Sequence, residues 1–358
     1  MHRGLAMENF KIGQDYLDEA WKPKNPFEGL MAMEVTSEII SKIADAKFAW
    51  LDLIVQGHMI AICAKPNGGK TTIMVHAAGE MSFKHGYQVI YINADASASD
   101  LKEYKNHAID FGYKLLNPDL ANVSAEDVVN ELKLMSLKDY DFSSHVLILD
   151  TLKKFTDMMN KCKGKEFYSI LRALTTKGMT VICLAHTNKY DDKDGKPVFE
   201  GVGDLRSDFD ELIYLIPVKN DDGSITVSTS IDKCRAILTE YSFSISPDRE
   251  VTVLNHHVDT LAVSLHQRHL EEDSDVIQFI LENIQPYSKS VTELHITSKK
   301  MGIGFSRKRL DSVLKRYSSQ YSKNPKWLAL PAPTYGTKYS LITPEYLNEL
   351  TLKGGVKV

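Results

Sequence analysis

The chain has 358 residues, 43% of them apolar and 25% charged, with a formal net charge of −4. That balance belongs to a folded globular protein large enough for two domains, and it excludes a disordered, collagen-like or disulfide-scaffold chain. No apolar run reaches the roughly 18–20 residues that a membrane-spanning helix needs, so no membrane partner is expected.

The four cysteines, Cys63, Cys162, Cys183 and Cys234, lie far apart with no C-x-x-C pair. That fits a reducing cytoplasm and argues against a zinc site. The opening MHRGLAMENFKIG has no apolar core of secretory type, so no signal peptide is expected, and Met7 offers a second start. Charge is uneven along the chain. Between residues 288 and 340 eleven Lys/Arg face only Glu293 and Asp311, a net of +9, which leaves −13 on residues 1–287. An acidic body with a basic C-terminal module is the layout of a protein that touches nucleic acid with one end.

In chain order, residues 1–30 are polar and contain WKPKNPFEGL, the composition of an arm. Apolar residues recurring at threes and fours predict a helix from Glu34 to Val55. Gln56-Gly57 is a turn, and the apolar run His58–Cys63 predicts a buried strand. The next eight residues carry the most specific signal. Ala64-Lys65-Pro66-Asn67-Gly68-Gly69-Lys70-Thr71 fits small-x-x-x-x-Gly-Lys-Thr, the phosphate loop of nucleotide hydrolases. A strand before it and a helix from Thr72 onward aim backbone N–H groups, including those of Pro66–Thr72 that carry one, at a single point and add the helix dipole. Gly68 and Gly69 let the backbone curl around a phosphate without a clashing Cβ. Lys70 is expected to reach the β- and γ-phosphates, and Thr71 to place a hydroxyl on Mg²⁺.

A helix over 71–84 precedes a strand over 88–93 (QVIYIN). Asp95, just past that strand, either polarises the attacking water or caps the turn before Ser97 and Ser99. A helix over 99–111 and a weaker segment near 123–138 come before the strand Val146–Asp150 (VLILD). This is the Walker B arrangement: Asp150 either holds Mg²⁺ beside Thr71 or caps the following segment. A helix over 164–177 leads to the strand Met179–His186, where His186 is either a γ-phosphate sensor or a satisfied core histidine. The polar, glycine-rich stretch Asn188–Arg206 reads as a mobile loop facing a functional opening. Strands follow at 212–217 and 225–232. Lys233 and Arg235 point the same way from a strand. They either form surface ion pairs or, in a ring, reach a neighbour's triphosphate as a finger.

Apolar strands alternating with helices predict an α/β fold, a parallel sheet covered on both faces. Hairpin-like pieces occupy 241–254, and the His-, Glu- and Asp-rich stretch 255–274 reads as a solvated linker. Its four His (256, 257, 266, 269) have no second ligand cluster that would make a metal site. Helices are predicted at Asp275–Asn283, Val291–Ser298 and Ser306–Tyr317, the last capped by Ser306, with a hairpin at 327–330 and 338–341. Three helices and a hairpin resemble a winged helix. Arg307, Lys308, Arg309, Lys315 and Arg316 on its third helix would face duplex DNA, or else the module contacts protein and the charge serves solubility. The resulting division is an arm (1–30), a nucleotide-binding domain (31–254), a linker (255–274), a basic domain (275–345) and a tail (346–358).

AKPNGGKTT, YINAD, VLILDT, LAHTNK, EGVGDLRSDFDELIYL and DKCR follow one another as in the RecA-like ATPases. Over roughly residues 45–240 the chain is similar to the RepA-type and DnaB-type hexameric replicative helicases. Gly201, Gly203, Leu205, Arg206 and Asp210 echo a motif of the RepA-type group. The resemblance implies a RecA-like fold around a mainly parallel sheet. It implies ATP and Mg²⁺ bound between subunits of a homo-oligomer, a hexamer, with single-stranded DNA in a central channel. By it Lys70, Thr71 and Asp150 hold MgATP, and Lys233 and Arg235 complete the neighbour's site. His186 then couples hydrolysis to the following loop, where Lys189, Lys193, Lys196 and Arg206 contact backbone phosphates. It also implies a bacterial cytoplasm, with a phage or plasmid origin. Two departures stand out: Asp95 occupies the position where the family has Glu, and Asp191, Asp192 and Asp194 offset the loop lysines. A strand-annealing or recombination ATPase and a slow ATP-switched DNA-binding regulator or loader are the alternatives.

Overall fold

A computed structural model of the chain describes residues 27–31, 33–38, 46–156, 161–193, 195–201, 206–322, 324–332 and 336–343, with the backbone alone for Glu28 and 161–163. Most of the expected arm, the expected tail, Asp194, Gly203 and Leu205 lie outside these residues. The chain divides into two compact units, 1–48 and 49–358. In the first, Glu28–Met31 form one helical turn, α1.

The helix expected over 34–55 is corrected at its C-terminal end. Phe48–Trp50 (β1) and Ile54–Val55 (β2) are strands of a small ribbon. Ala49, Trp50, Leu53, Ile54 and Val55 are all buried. With Asp52 the one exposed position between Ala49 and Val55, the stretch carries too little polar pattern to tell helix from strand. Trp50 stacks on Phe243 at 5.7 Å and donates its Nε1 hydrogen to Glu80 Oε2 at 2.7 Å, which holds the ribbon in place.

From there strands and helices alternate: β3 (Met59–Ala64), α2 (Lys70–Phe83), β4 (Gln88–Asn93), α3 (Ala98–Phe111), β5 (Lys114–Leu116), α4 (Ala125–Leu137), β6 (His145–Asp150), α5 (Lys161–Thr176) and β7 (Thr180–His186). Then come β8 (Glu211–Lys219), β9 (Ile225–Lys233), β10 (Ser242–Ile245) and β11 (Val251–Val253). They form one sheet in the order β5-β4-β6-β7-β3-β8-β9-β10-β11. The first six strands run parallel, and the last three are added antiparallel. The expected fold class, α/β on a mainly parallel sheet, is the one found.

Side chains alternate across each central strand, so each strand feeds two cores. Ile60, Ile62 and Ala64 of β3 enter the core shared with α2 and α3, while Met59, Ala61 and Cys63 enter the core shared with α4 and α5. Because these strands all run parallel, the carboxyl ends of β3, β4, β6 and β7 share one edge of the sheet. Ligands bind at that edge in open α/β sheets.

Residues 255–274 are corrected from a solvated linker to a packed helix, α6 (Thr260–Glu272). Asp259 caps it, its Oδ1 accepting from Ala262 N at 2.9 Å. Leu261 packs on the core beneath β8, a contact hidden in the sequence among flanking His, Glu and Asp. Beyond it lie α7 (Ser274–Asn283), β12 (Lys289–Ser290), α8 (Val291–Lys300), α9 (Arg307–Arg316), β13 (Leu328–Pro331) and β14 (Thr337–Ser340). The strands pair antiparallel in the order β12-β14-β13. These elements share a separate core that includes Ile280, Leu294, Leu310, Leu314, Tyr317 and Trp327. Ser306 caps α9 as expected, its Oγ accepting from Arg309 N at 3.2 Å.

Candidate nucleotide-binding site

The loop between β3 and α2 closes too tightly for ordinary side chains. Asn67 and Gly69 have φ of 58° and 81°, and Gly69 is the N-cap of α2. A Cβ on Gly68 would stand 2.8 Å from Ala64 Cβ and 2.9 Å from Lys65 O. Lys70 is only 7% exposed. Its Nζ donates to Ala64 O at 3.2 Å and lies 3.4 Å from His186 Nδ1. Burial lowers its pKa, opposed by the charge of Asp150.

Strand register brings the rest of the site together. Ala64 pairs with His186, Leu184 with Asp150, and Asp150 with Asn93, so all stand at the same edge. Asp150 Oδ2 accepts from Thr71 Oγ1 at 2.8 Å, Tyr91 OH at 2.9 Å and Asn93 Nδ2 at 3.4 Å. Burial still pushes its carboxyl above the ordinary range. An ammonium can only donate, so Nδ1 of His186 accepts from Lys70 and the ring proton sits on Nε2. That Nε2 is buried and has no partner among the described residues. Burial, then the Lys70 charge, lowers the His186 pKa and keeps the ring neutral.

These groups line a cleft of about 540 Å³, together with Pro66–Thr72, Tyr104, Pro247 and Arg249. Loop N–H groups, the Lys70 ammonium and the orphaned Nε2–H of His186 suit a phosphate. The hydroxyl of Thr71 and the carboxylate of Asp150 are hard oxygen donors suited to Mg²⁺. Among the described residues no cluster of three or more His, Cys, Asp or Glu could cage a metal by itself.

Asp95 lines the same cleft, but its side chain is 44% exposed and stands 3.7 Å from Lys154 Nζ. Capping of α3 falls to Ser97, whose Oγ accepts from Asp100 N at 3.3 Å. Lys233 and Arg235 lie elsewhere. Lys233 pairs with Leu212 near the start of β8, whereas Ile225, at the other end of β9, lines the cleft. Eight strand residues put Lys233 about 26 Å from Ile225. Lys233 Nζ donates to Ser207 O at 2.6 Å. Arg235 pairs with Asp210 at 2.9 Å while remaining 60% exposed. Asp210 also accepts from Arg172 at 2.6 Å and from Met59 N at 2.9 Å. Next to it, His58 Nδ1 lies 2.8 Å from Glu211 Oε1.

The stretch after β7 returns on itself: Thr187 bridges Phe199, and Asn188 N donates to Val198 O at 2.7 Å. Asp191 ties it down, accepting from Lys65 Nζ at 2.8 Å and from Arg268 Nη2 on α6 at 2.9 Å. Lys189 lies over the Tyr190 ring, Lys193 and Lys196 are exposed, and Arg206 pairs with Asp232. The five cations of α9 separate into two groups. Arg309, Lys315 and Arg316 are paired with Asp275, Asp311 and Asp273 at 2.8, 2.8 and 2.5 Å. Arg307 and Lys308 are exposed.

Sequence reasoning missed Tyr91 and Asn93. Their signal is a pair of polar side chains at alternate positions of an otherwise apolar strand, which must share a face. It also missed Arg249 and the Lys65–Asp191–Arg268 cluster, which join segments far apart in the chain.

No protein-family model and no curated protein matches this chain. Similar solved structures include flagellar accessory protein FlaH from Methanocaldococcus jannaschii, 14% identical with a TM-score of 0.40, over 57% of this chain and 92% of that one. A KaiC-like protein from Pyrococcus horikoshii OT3 is likewise 14% identical, with a TM-score of 0.43, over 59% of this chain and 100% of that one.

Proposed function

We propose that the chain is a RecA-like ATP hydrolase working as a hexameric, DNA-acting motor of the replicative helicase type, in a bacterial cytoplasm. One observation carries this reading: Lys70, Thr71, Asp150 and the unpartnered Nε2 of His186 converge on one cleft, while Lys233 and Arg235 stand at the far end of the sheet. A cation pair at the opposite end of β9 from the strand residue that lines the cleft is placed away from its own triphosphate, and in this reading it serves a neighbour's.

In this reading the loop N–H groups and Lys70 hold the β- and γ-phosphates, and Thr71 and Asp150 hold Mg²⁺. When bound, the metal neutralises charge on the phosphate oxygens. His186 Nε2–H donates to a γ-phosphate oxygen. Its backbone leads directly into the hairpin carrying Lys193 and Lys196, so loss of that phosphate is felt by side chains that meet single-stranded DNA. Arg235 leaves Asp210 to stabilise the charge that develops across the subunit seam. Residues 275–343 act as a winged helix whose free cations, Arg307 and Lys308, meet duplex phosphates.

A second reading, the slow ATP-switched regulator, is favoured by one feature. Asp95 is half exposed and paired with Lys154, so it is poorly placed to activate water. Turnover with and without single-stranded DNA, and displacement of a forked duplex, separate the two. The motor predicts DNA-stimulated turnover and strand displacement. Turnover indifferent to DNA supports the switch, and strand pairing without displacement supports an annealing ATPase. A protein that stays monomeric with ATP and DNA present overturns the subunit-seam mechanism.

A further inference from the structure

Besides the phosphate loop, the cleft is lined by the turn between β10 and β11 and by the first turns of α3. Arg249 joins the two. Its Nη1 lies 3.0 Å from Asp100 Oδ1 and 3.5 Å from Glu103 Oε2. The turn that presents it is closed by main-chain bonds, Ser246 N to Glu250 O and Arg249 N to Ser246 O, both 2.9 Å. Within it Arg249 takes a φ of 64°, a conformation that residues other than glycine rarely adopt and that often marks a functional position. The strand carrying this turn is seated on the phosphate loop, since a Cβ on Gly69 would meet Ile245 Cδ1 at 2.8 Å.

We infer that Arg249, Asp100 and Glu103 form a strap across the nucleotide cleft, and that Arg249 exchanges the two carboxylates for the α-phosphate of an incoming nucleotide. This rests on the reading of the cleft as a triphosphate site. In that reading the terminal phosphates sit on Lys70 and the loop, beside Asp150 and His186. Tyr104, Pro247 and Arg249 line the same cleft, so a nucleotide that fills it meets them. There a guanidinium fork meets a phosphate, for which its geometry and charge are suited. Two carboxylates compete for the same fork. They hold Arg249 in position before binding and lower the apparent affinity, because the strap must open first.

The test is a double-mutant cycle on the full chain, reading equilibrium binding of MgATP and MgADP, with thermal melting as a check on folding. Arg249→Ala weakens both nucleotides roughly ten-fold, equally because both carry an α-phosphate. Asp100→Asn tightens both about three-fold by removing the competitor, and this gain disappears when Arg249 is already Ala. Arg249→Lys, which keeps the charge and loses the fork, falls between wild type and Ala. An Asp100→Asn variant that binds more weakly and melts lower, as a purely structural pair would, overturns the strap. An effect of Arg249→Ala on MgATP alone overturns the α-phosphate assignment. Wild-type protein that binds neither nucleotide overturns the triphosphate reading and the strap with it. Normal wild-type binding that none of the variants changes overturns the strap alone.

Discussion

Asp150→Asn removes one negative charge and keeps the shape of the side chain. Asp150 is 3% exposed, and one of its oxygens takes three donors. Burial nevertheless raises its pKa in the fold. The unfolded value is about 3.9, so the folded state holds the proton more tightly than the unfolded state. Stability therefore falls as pH rises through the window between the two values and stays lowered above it. Asn keeps an oxygen for Thr71 and Tyr91 and carries no charge to desolvate, although Lys70 loses a nearby counter-charge. The net gain at pH 7 without nucleotide is about 1 kcal/mol, or about 2 °C in Tm for a unit of this size. With MgATP the order reverses. Wild-type protein gains about 2.7 kcal/mol at a hundred-fold excess over Kd, and the variant, lacking its metal ligand, loses the magnesium-dependent part together with turnover. Calorimetry at pH 7 without nucleotide, with ATP plus a chelator and with MgATP measures each contribution. A variant that melts below wild type without nucleotide, or that keeps the full magnesium-dependent rise, refutes this account of the site.

The Glu211 hydrogen bond holds His58 above its ordinary pKa. The stabilisation from this pair is complete below about pH 6.5 and fades as pH rises through the raised value, so the melting gap between wild type and His58→Gln, roughly 0.5–1 kcal/mol, narrows from pH 5.5 to 8.5. A constant gap would rule out the charged pair. Arg235→Ala lowers ATP turnover by about 10³ while leaving MgATP binding intact; because Arg235 is itself 60% exposed and the buried Asp210 keeps Arg172 and Met59 N as donors, stability falls by less than about 1 kcal/mol. Unchanged turnover removes the finger assignment. The double substitution Arg307→Ala, Lys308→Ala lowers the slope of log affinity for duplex DNA against log salt by about 1.8. Arg316→Ala instead lowers the melting temperature, because it strips a partner from the nearly buried Asp273. Equal salt slopes for wild type and the double variant remove the winged helix as a DNA contact.

The phosphate loop could be read from eight consecutive residues because its chemistry is local: two glycines, a lysine and a threonine at fixed spacing need only a strand before and a helix after. VLILD could be read for the same reason, since a buried parallel strand is a continuous apolar run and its terminal carboxylate announces itself. The 34–55 helix failed between Ala49 and Val55, where Asp52 is the one exposed position, because periodicity needs a solvent face to register. Segment 255–274 failed for the opposite reason, as a thin apolar stripe was masked by charged and imidazole neighbours. The α9 cations looked equivalent as a basic run. Three of them have carboxylate partners, two of these at the α6–α7 junction more than thirty residues earlier in the chain, which spacing along one helix does not reveal.

Short-range pattern was therefore sufficient for the α/β class, the order of most elements and the residues of the loop between β3 and α2, since each depends on neighbours within a few positions. Register and crossover placed Asp150, His186 and Lys70 around one point and sent Lys233 and Arg235 to the far end of the sheet. The same packing set Arg249 against Asp100, 149 residues away along the chain. Such pairings arise only when the chain closes on itself, because hydrogen-bond and ion-pair partners are chosen by proximity in space, and proximity comes from burying the two faces of the sheet together.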